Sequence, residues 1–197
     1  MKPRSSVAIY GSRVITVVFC LFSSIQLLAA SEFENSLLEQ ELSRARSDPD
    51  NRTTIRVEQP IALVFDALLM RLAEYTDDIA SVEFDNRSAE IPGTPGVGSQ
   101  RITTMVDGDI LVQRIVVFEP PLRFAYFTDM SVSTVRVPIE YSIGYYTFTE
   151  QAPGIVEATV SVAYKPSSRL TAFLVRMGFN RALVKDFEKA ETYLNGL

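Results

Sequence analysis

Between Ser167 and Leu194 the apolar residues Leu170, Phe173, Met177, Val184, Phe187 and Leu194 recur at steps of three, four and seven. That spacing follows the helical repeat and predicts one helix of about seven turns lying on a core. Upstream the pattern changes to alternation. Thr53–Glu58 sets Ile55 and Val57 on one side and Thr54, Arg56 and Glu58 on the other, as a half-buried strand does. Pro60 suits the first turn of a helix, and Ile61–Tyr75 is apolar on nearly every face, which predicts heavy burial. A second short helix is expected around Tyr75–Ala80.

Strand-like segments dominate the middle of the chain: Ser81–Arg87, Ser99–Val106, Asp109–Phe118, Leu122–Thr128, Ile139–Thr149 and Ile155–Tyr164. Asp107-Gly108 gives a tight hairpin signal, and Pro120-Pro121 separates the next two strands. Ile91–Gly98 is too rich in Pro and Gly for regular structure. Helices and strands are therefore segregated along the chain, which predicts an α+β fold with a mainly antiparallel sheet of about six to seven strands. A long helix held against such a sheet leaves an apolar hollow between the two layers.

The ends add a targeting segment and a lead-in. Lys2, Arg4 and Arg13 precede an apolar run, Val14–Ala30, that closes on the small residues Ala29-Ala30-Ser31. Residues 1–31 thus have the parts of a secretory signal, with cleavage expected after Ser31. The domain is then exported, periplasmic or secreted. The alternative is an uncleaved segment that tethers it to the inner membrane through residues 14–30, although 17 residues is the short limit for a span. Residues 32–52 read as a short helix from Ser36 to Arg46, opened by the capping-box form Ser36-x-x-Glu39, then broken at Pro49. This lead-in is expected to be solvated and without a role. Asn51-Arg52-Thr53 and Asn86-Arg87-Ser88 match the glycosylation pattern, which also arises often by chance. The domain proper is expected over residues 53–197.

Composition narrows the chemistry. The chain has no histidine, which excludes imidazole-based catalytic triads and metal sites. Its one cysteine, Cys20, falls in the apolar N-terminal run, so the domain has no disulfide or thiol nucleophile. Residues 1–31 hold three of the 19 basic residues and none of the 24 acidic ones, so the remainder carries 16 against 24, a formal charge of −8. Such a surface repels nucleic acid. No paired carboxylates, phosphate-cradling loop or metal-ligand cluster stands out, and no cofactor is called for.

The order of elements resembles the helix-grip fold of the START-like, or SRPBCC, superfamily, which includes polyketide cyclases/dehydrases. The resemblance covers about Thr53–Leu194. It is carried by Gly96-Val97-Gly98-Ser99-Gln100-Arg101 and by Phe118-Glu119-Pro120-Pro121-Leu122-Arg123-Phe124-Ala125-Tyr126. Many relatives carry a glutamate where this chain has Gln113, so a shared acid–base pair is not implied. The resemblance implies a curved antiparallel sheet wrapped around the C-terminal helix, two shorter helices after the first strand, and a cavity for a lipid or other hydrophobic small molecule. Three functions are open: carriage of such a molecule, cyclase/dehydrase-like catalysis in the same pocket, or an envelope interaction module with no ligand.

Candidate ligand-binding residues follow. Phe173, Met177 and Val184 lie on the predicted stripe of the last helix, either as lid or as core packing. From the sheet come Arg101, Gln113, Tyr126, Tyr141 and Tyr145. Tyr141 and Tyr145 share one face and Ser142, Gly144 and Tyr146 the other, and alternation alone does not choose between them. Arg101 is either inward, needing Gln113 or an acidic ligand as partner, or exposed on the outer side. Gly178 is unusual inside a helix and marks a bend, a close approach or room for a ligand. Arg169, Arg176, Arg181, Lys185 and Lys189 read as a solvated face.

Overall fold

A computed structural model describes residues 35–169 and 172–197. The expected signal or anchor over residues 1–31 lies outside them. The chain divides into two units, 1–40 and 41–197. Helix α1 covers residues 35–47. It is followed by β1 (Asn51–Val57), α2 (Ile61–Met70), β2 (Ile79–Asp85), β3 (Gln100–Met105), β4 (Ile110–Glu119), β5 (Arg123–Asp129), β6 (Ile139–Ala152), β7 (Ile155–Pro166) and α3 (Ala172–Asn195). Seven strands form one antiparallel sheet in the order β1-β7-β6-β5-β4-β3-β2. This agrees with the α+β expectation, with one difference. Tyr75–Ala80 is not a helix; a single 3-10 turn over Leu72–Glu74 ends the helical segment, and β2 begins at Ile79. Thr76, Asp77 and Asp78 favour a turn, and the N–H of Ile79 closes it by donating to the Thr76 carbonyl at 3.2 Å.

Burial explains which face is inner. Val64, Phe65, Ala67, Leu68 and Leu69 of α2 are buried, and so are Phe124, Tyr146, Phe148, Val160 and Val162 from the sheet. Phe65 meets Phe124 edge-on at 5.3 Å and Phe148 at 5.3 Å. Aromatic contacts of this kind add about 0.5–1.5 kcal/mol each beyond the area they bury.

Helix α3 is rotated from its expected orientation. Val175, Phe187, Ala190 and Leu194 are buried, and Phe179 and Leu183 pack against the same core. That stripe, stepping by three and four, is the inner face. Phe173 (73 %), Met177 (57 %) and Val184 (36 %) are exposed, so among the described residues of the expected stripe Phe187 and Leu194 face inward, while Leu170 lies outside them. Apolar residues occupy both sides of the N-terminal half, and tertiary contacts decide between them. Tyr164 stacks on Phe179 at 4.9 Å, and Asn51 Nδ2 donates to the Arg176 carbonyl at 3.3 Å. At the other end Gln59 Nε2 donates to the Leu194 carbonyl at 2.9 Å. Asn51 itself is buried, which removes the first glycosylation triplet from the folded surface.

Gly178 lies on the exposed side, and a Cβ there would meet nothing within 4 Å. It is neither a close approach nor room for a ligand. Gly178→Ala is therefore expected to raise the unfolding free energy by about 0.5–1 kcal/mol, through lower backbone entropy in the unfolded chain. Urea denaturation followed by circular dichroism checks this; a loss of stability would mean the glycine has a role the geometry does not show.

The lead-in is not simply solvated. Ala45 is fully buried, and Arg44 bridges Glu41 at 2.9 Å and Asp50 at 3.1 Å while donating to the Tyr164 carbonyl at 2.8 Å. Residues 41–50 thus cover the outer face of β6 and β7.

Candidate ligand cavity

The register of the inner face places one residue from each of five strands in a row: Arg101 opposite Gln113, Gln113 opposite Thr128, Thr128 opposite Ser142, and Ser142 opposite Tyr164. All five are buried. A polar band inside a hydrophobic protein needs internal partners, since an unpaired buried polar group costs about 1–3 kcal/mol. Most of this band finds them. Arg101 is only 1 % exposed. Its Nε and Nη2 both donate to Gln113 Oε1, at 2.9 and 2.6 Å, and Gln113 Nε2 donates to Thr128 Oγ1 at 3.3 Å. Nη1 donates to the carbonyls of Leu69 at 3.1 Å and Leu68 at 3.4 Å. Those carbonyls end α2, where backbone acceptors lack helical partners and the helix dipole is negative. The guanidinium also lies 4.6 Å from the centre of the Tyr126 ring. Among the described residues, a buried cation is therefore held without a carboxylate, by an amide, a helix C-terminus and an aromatic face.

Tyr126 is placed in turn by Gly144, its cross-strand partner. A Cβ at Gly144 would lie 2.6 Å from Tyr126 Cζ, so the ring can lie flat only over a glycine. The Tyr126 and Tyr146 hydroxyls are 3.2 Å apart. Burial pushes the Tyr146 phenol well above its ordinary value, with the neighbouring Tyr126 adding to the shift and Arg101 opposing it. Tyr75 is likewise pushed up by burial, again opposed by Arg101. Both phenols are protonated at neutral pH.

Above this floor lies a hollow of about 280 Å³. Its walls come from α2 and the turn after it (Leu68, Leu72), from the sheet and the segment before β6 (Met105, Leu111, Met130, Val137), and from α3 (Phe179, Leu183, Phe187). Thr103 also lines it, 2 % exposed, and its Oγ1 has no hydrogen-bond partner among the described residues. Asp78 and Asp186 line it as well. Asp78 is exposed, and the half-buried Asp186 carboxyl is held above the usual carboxylate range by burial and by the like charge of Asp78. A hollow with apolar walls and a few fixed polar groups is the usual form of a small-molecule site.

Of the candidate residues, Arg101, Gln113 and Tyr126 come together at this hollow. Tyr141 and Tyr145 do not. Tyr141 stacks on Phe127 and donates to Glu41 Oε1 at 3.4 Å, and Tyr145 packs beneath the Arg46 guanidinium. Both belong to the outer face, covered by residues 41–50. Phe173, Met177 and Val184 are on the exposed side of α3 and do not line the hollow. The residues that sequence reasoning missed are Thr103, two positions along the strand from Arg101 and so on its face, together with Tyr75, Phe179 and Leu183. The Thr103 signal was available once Arg101 was set inward.

No family model matches the chain, and no curated protein matches it. Solved structures do. The crystal structure of Ara h 8.0201 superposes with a TM-score of 0.57 at 18% identity, over 74% of this chain and 97% of that one. The protein XoxI from Bacillus cereus gives 0.56 at 14% identity, over 73% and 94%. StfQ, a di-domain ARO/CYC from the steffimycin biosynthetic pathway, gives 0.51 at 17% identity, over 73% of this chain and 44% of that one. At these identities the likeness is one of fold, and the chain shares their helix-grip fold.

Proposed function

We propose that this protein binds and carries a hydrophobic small molecule or lipid in the hollow between α3 and the sheet. The observation that carries the reading is the hollow itself, with mostly apolar walls, a polar floor row and a few further polar groups, Thr103, Asp78 and Asp186. Exchange of such a ligand needs no chemistry. The protonated phenols of Tyr75 and Tyr146 can donate hydrogen bonds to a ligand oxygen but cannot serve as bases near neutral pH. We place the carrier outside the cytoplasm on the strength of the signal-like residues 1–31. Mass spectrometry of the mature N-terminus tests that placement, and an intact Met1 would overturn cleavage.

Organic extraction of the purified protein followed by mass spectrometry tests the carrier reading directly; a co-purifying lipid or aromatic supports it. The cavity is tested by blocking it. Leu183→Trp adds a large ring from the inner face of α3, and is expected to weaken binding of a medium-chain alcohol at least about tenfold while the protein stays folded. Met177→Trp, on the exposed side of the same helix, is the control and should bind as the parent does. Equal affinity in all three proteins would overturn the location of the site.

A second reading is a cyclase/dehydrase-like enzyme. It is favoured by one arrangement, the Tyr126 and Tyr146 hydroxyls 3.2 Å apart beside the Arg101 guanidinium, which could polarise a bound carbonyl. Turnover of a reactive ketide by the parent, lost in Tyr126→Phe, would establish it over simple carriage.

A further inference from the structure

We propose that the molecule carried in the hollow is an organic acid, an apolar body ending in a carboxylate that seats on Arg101 and Thr103; this rests on the carrier reading above. Charge and unused donors at the floor of the hollow both call for an anionic group. Arg101 is 1 % exposed and carries a full positive charge at any physiological pH. Its protein partners offset only part of that charge. Gln113 is a neutral amide, the C-terminus of α2 carries about half a negative charge, and the Tyr126 face contributes a quadrupole rather than a charge. The phenols of Tyr75 and Tyr146, both pushed up by burial, add no formal charge near neutral pH.

The hydrogen bonds are incomplete in the same place. A guanidinium has five N–H groups, and Arg101 makes four contacts, of which Nη2 makes one. The second N–H of Nη2 has no acceptor among the described residues. Thr103, on the same strand face, has a buried hydroxyl with no partner among the described residues. A carboxylate supplies what both lack: two oxygens with several lone pairs and one negative charge. One oxygen accepts from Nη2, and the other accepts from the Thr103 hydroxyl.

The rest of the lining sets the orientation. Asp78 and Asp186 would repel a carboxylate left beside them, whereas Leu72, Leu111, Val137 and Leu183 suit a hydrocarbon. The acid end is therefore the end bound at the β3 floor.

Decanoic acid and decanol have the same chain and differ at the head. Isothermal titration of the 197-residue protein with each, at neutral pH, is expected to show the acid bound at least about tenfold more tightly. Gln113→Glu places an internal carboxylate on Arg101, and the ratio of acid to alcohol affinity should then fall to about one or below. If that variant does not fold, Thr103→Val, which keeps shape and removes the hydroxyl, should lower the ratio several-fold. Equal affinity for acid and alcohol in the parent overturns the inference and leaves the carrier reading standing. Binding of neither overturns both. An acid preference that survives Gln113→Glu overturns the assignment to Arg101.

Discussion

Arg101→Ala is expected to lower the unfolding free energy by about 3 kcal/mol, because it leaves several buried acceptors without donors at about 1–3 kcal/mol each. The loss has three parts, all at one side chain. Gln113 Oε1 gives up both of its donors, at 2.9 and 2.6 Å, within a buried row. The carbonyls of Leu68 and Leu69 lose the group that closes the end of α2. The Tyr126 ring loses the cation at 4.6 Å and has an open space beside it. Arg101→Lys should recover little of this, because one ammonium cannot reproduce a planar fork shared between an amide and a helix end. Circular dichroism in a urea titration checks both variants. A loss below about 1 kcal/mol for the alanine would show that Arg101 is solvated in solution, and the polar floor would then have no organising centre.

The same residue shows how far the sequence could be read. Element order needed only local signals. Alternation marked the strands, Pro60 the start of α2, and Asp107-Gly108 the turn that became the β3–β4 hairpin. Which face points inward was a different matter. On β6, Tyr141, Ile143 and Tyr145 alternate with Ser142, Gly144 and Tyr146, and five of the six are buried. Both faces are covered because residues 41–50 pack on the outer one. A segment with its own polar, charged pattern gives no local sign that it will act as a cover. Arg101 and Gln113 could be paired from β-hairpin register alone, and their depth then followed from packing under α2. For α3 the failure has the same cause. Phe173, Leu174, Met177 and Val184 are apolar yet exposed, so the apolar pattern alone did not identify the buried stripe, which Tyr164 and Asn51 fix from distant parts of the chain.

Phe124→Ala is expected to cost a further large sum, about 3–5 kcal/mol, by opening a void in the packed aromatic core. Phe124 is fully buried, stacked on Tyr146 at 4.3 Å, edge-on to Phe65 at 5.3 Å, and 5.9 Å from Phe148. Its position also bears on the hollow. Tyr146 lines the cavity with Phe124 packed against one side of its ring and Phe187 of α3 at 6.0 Å. Removing Phe124 lets Tyr146 fall back, separates its hydroxyl from Tyr126, and joins the new void to the existing space. The variant should therefore be less stable yet admit a bulkier apolar ligand than the parent. Phe173→Ala on the exposed face of α3 provides the comparison, with an expected change within about 0.5 kcal/mol. If the two alanine variants lost equal stability, the rotation of α3 described above would be wrong, since it is that rotation which puts Phe173 in solvent and Phe187 against Tyr146.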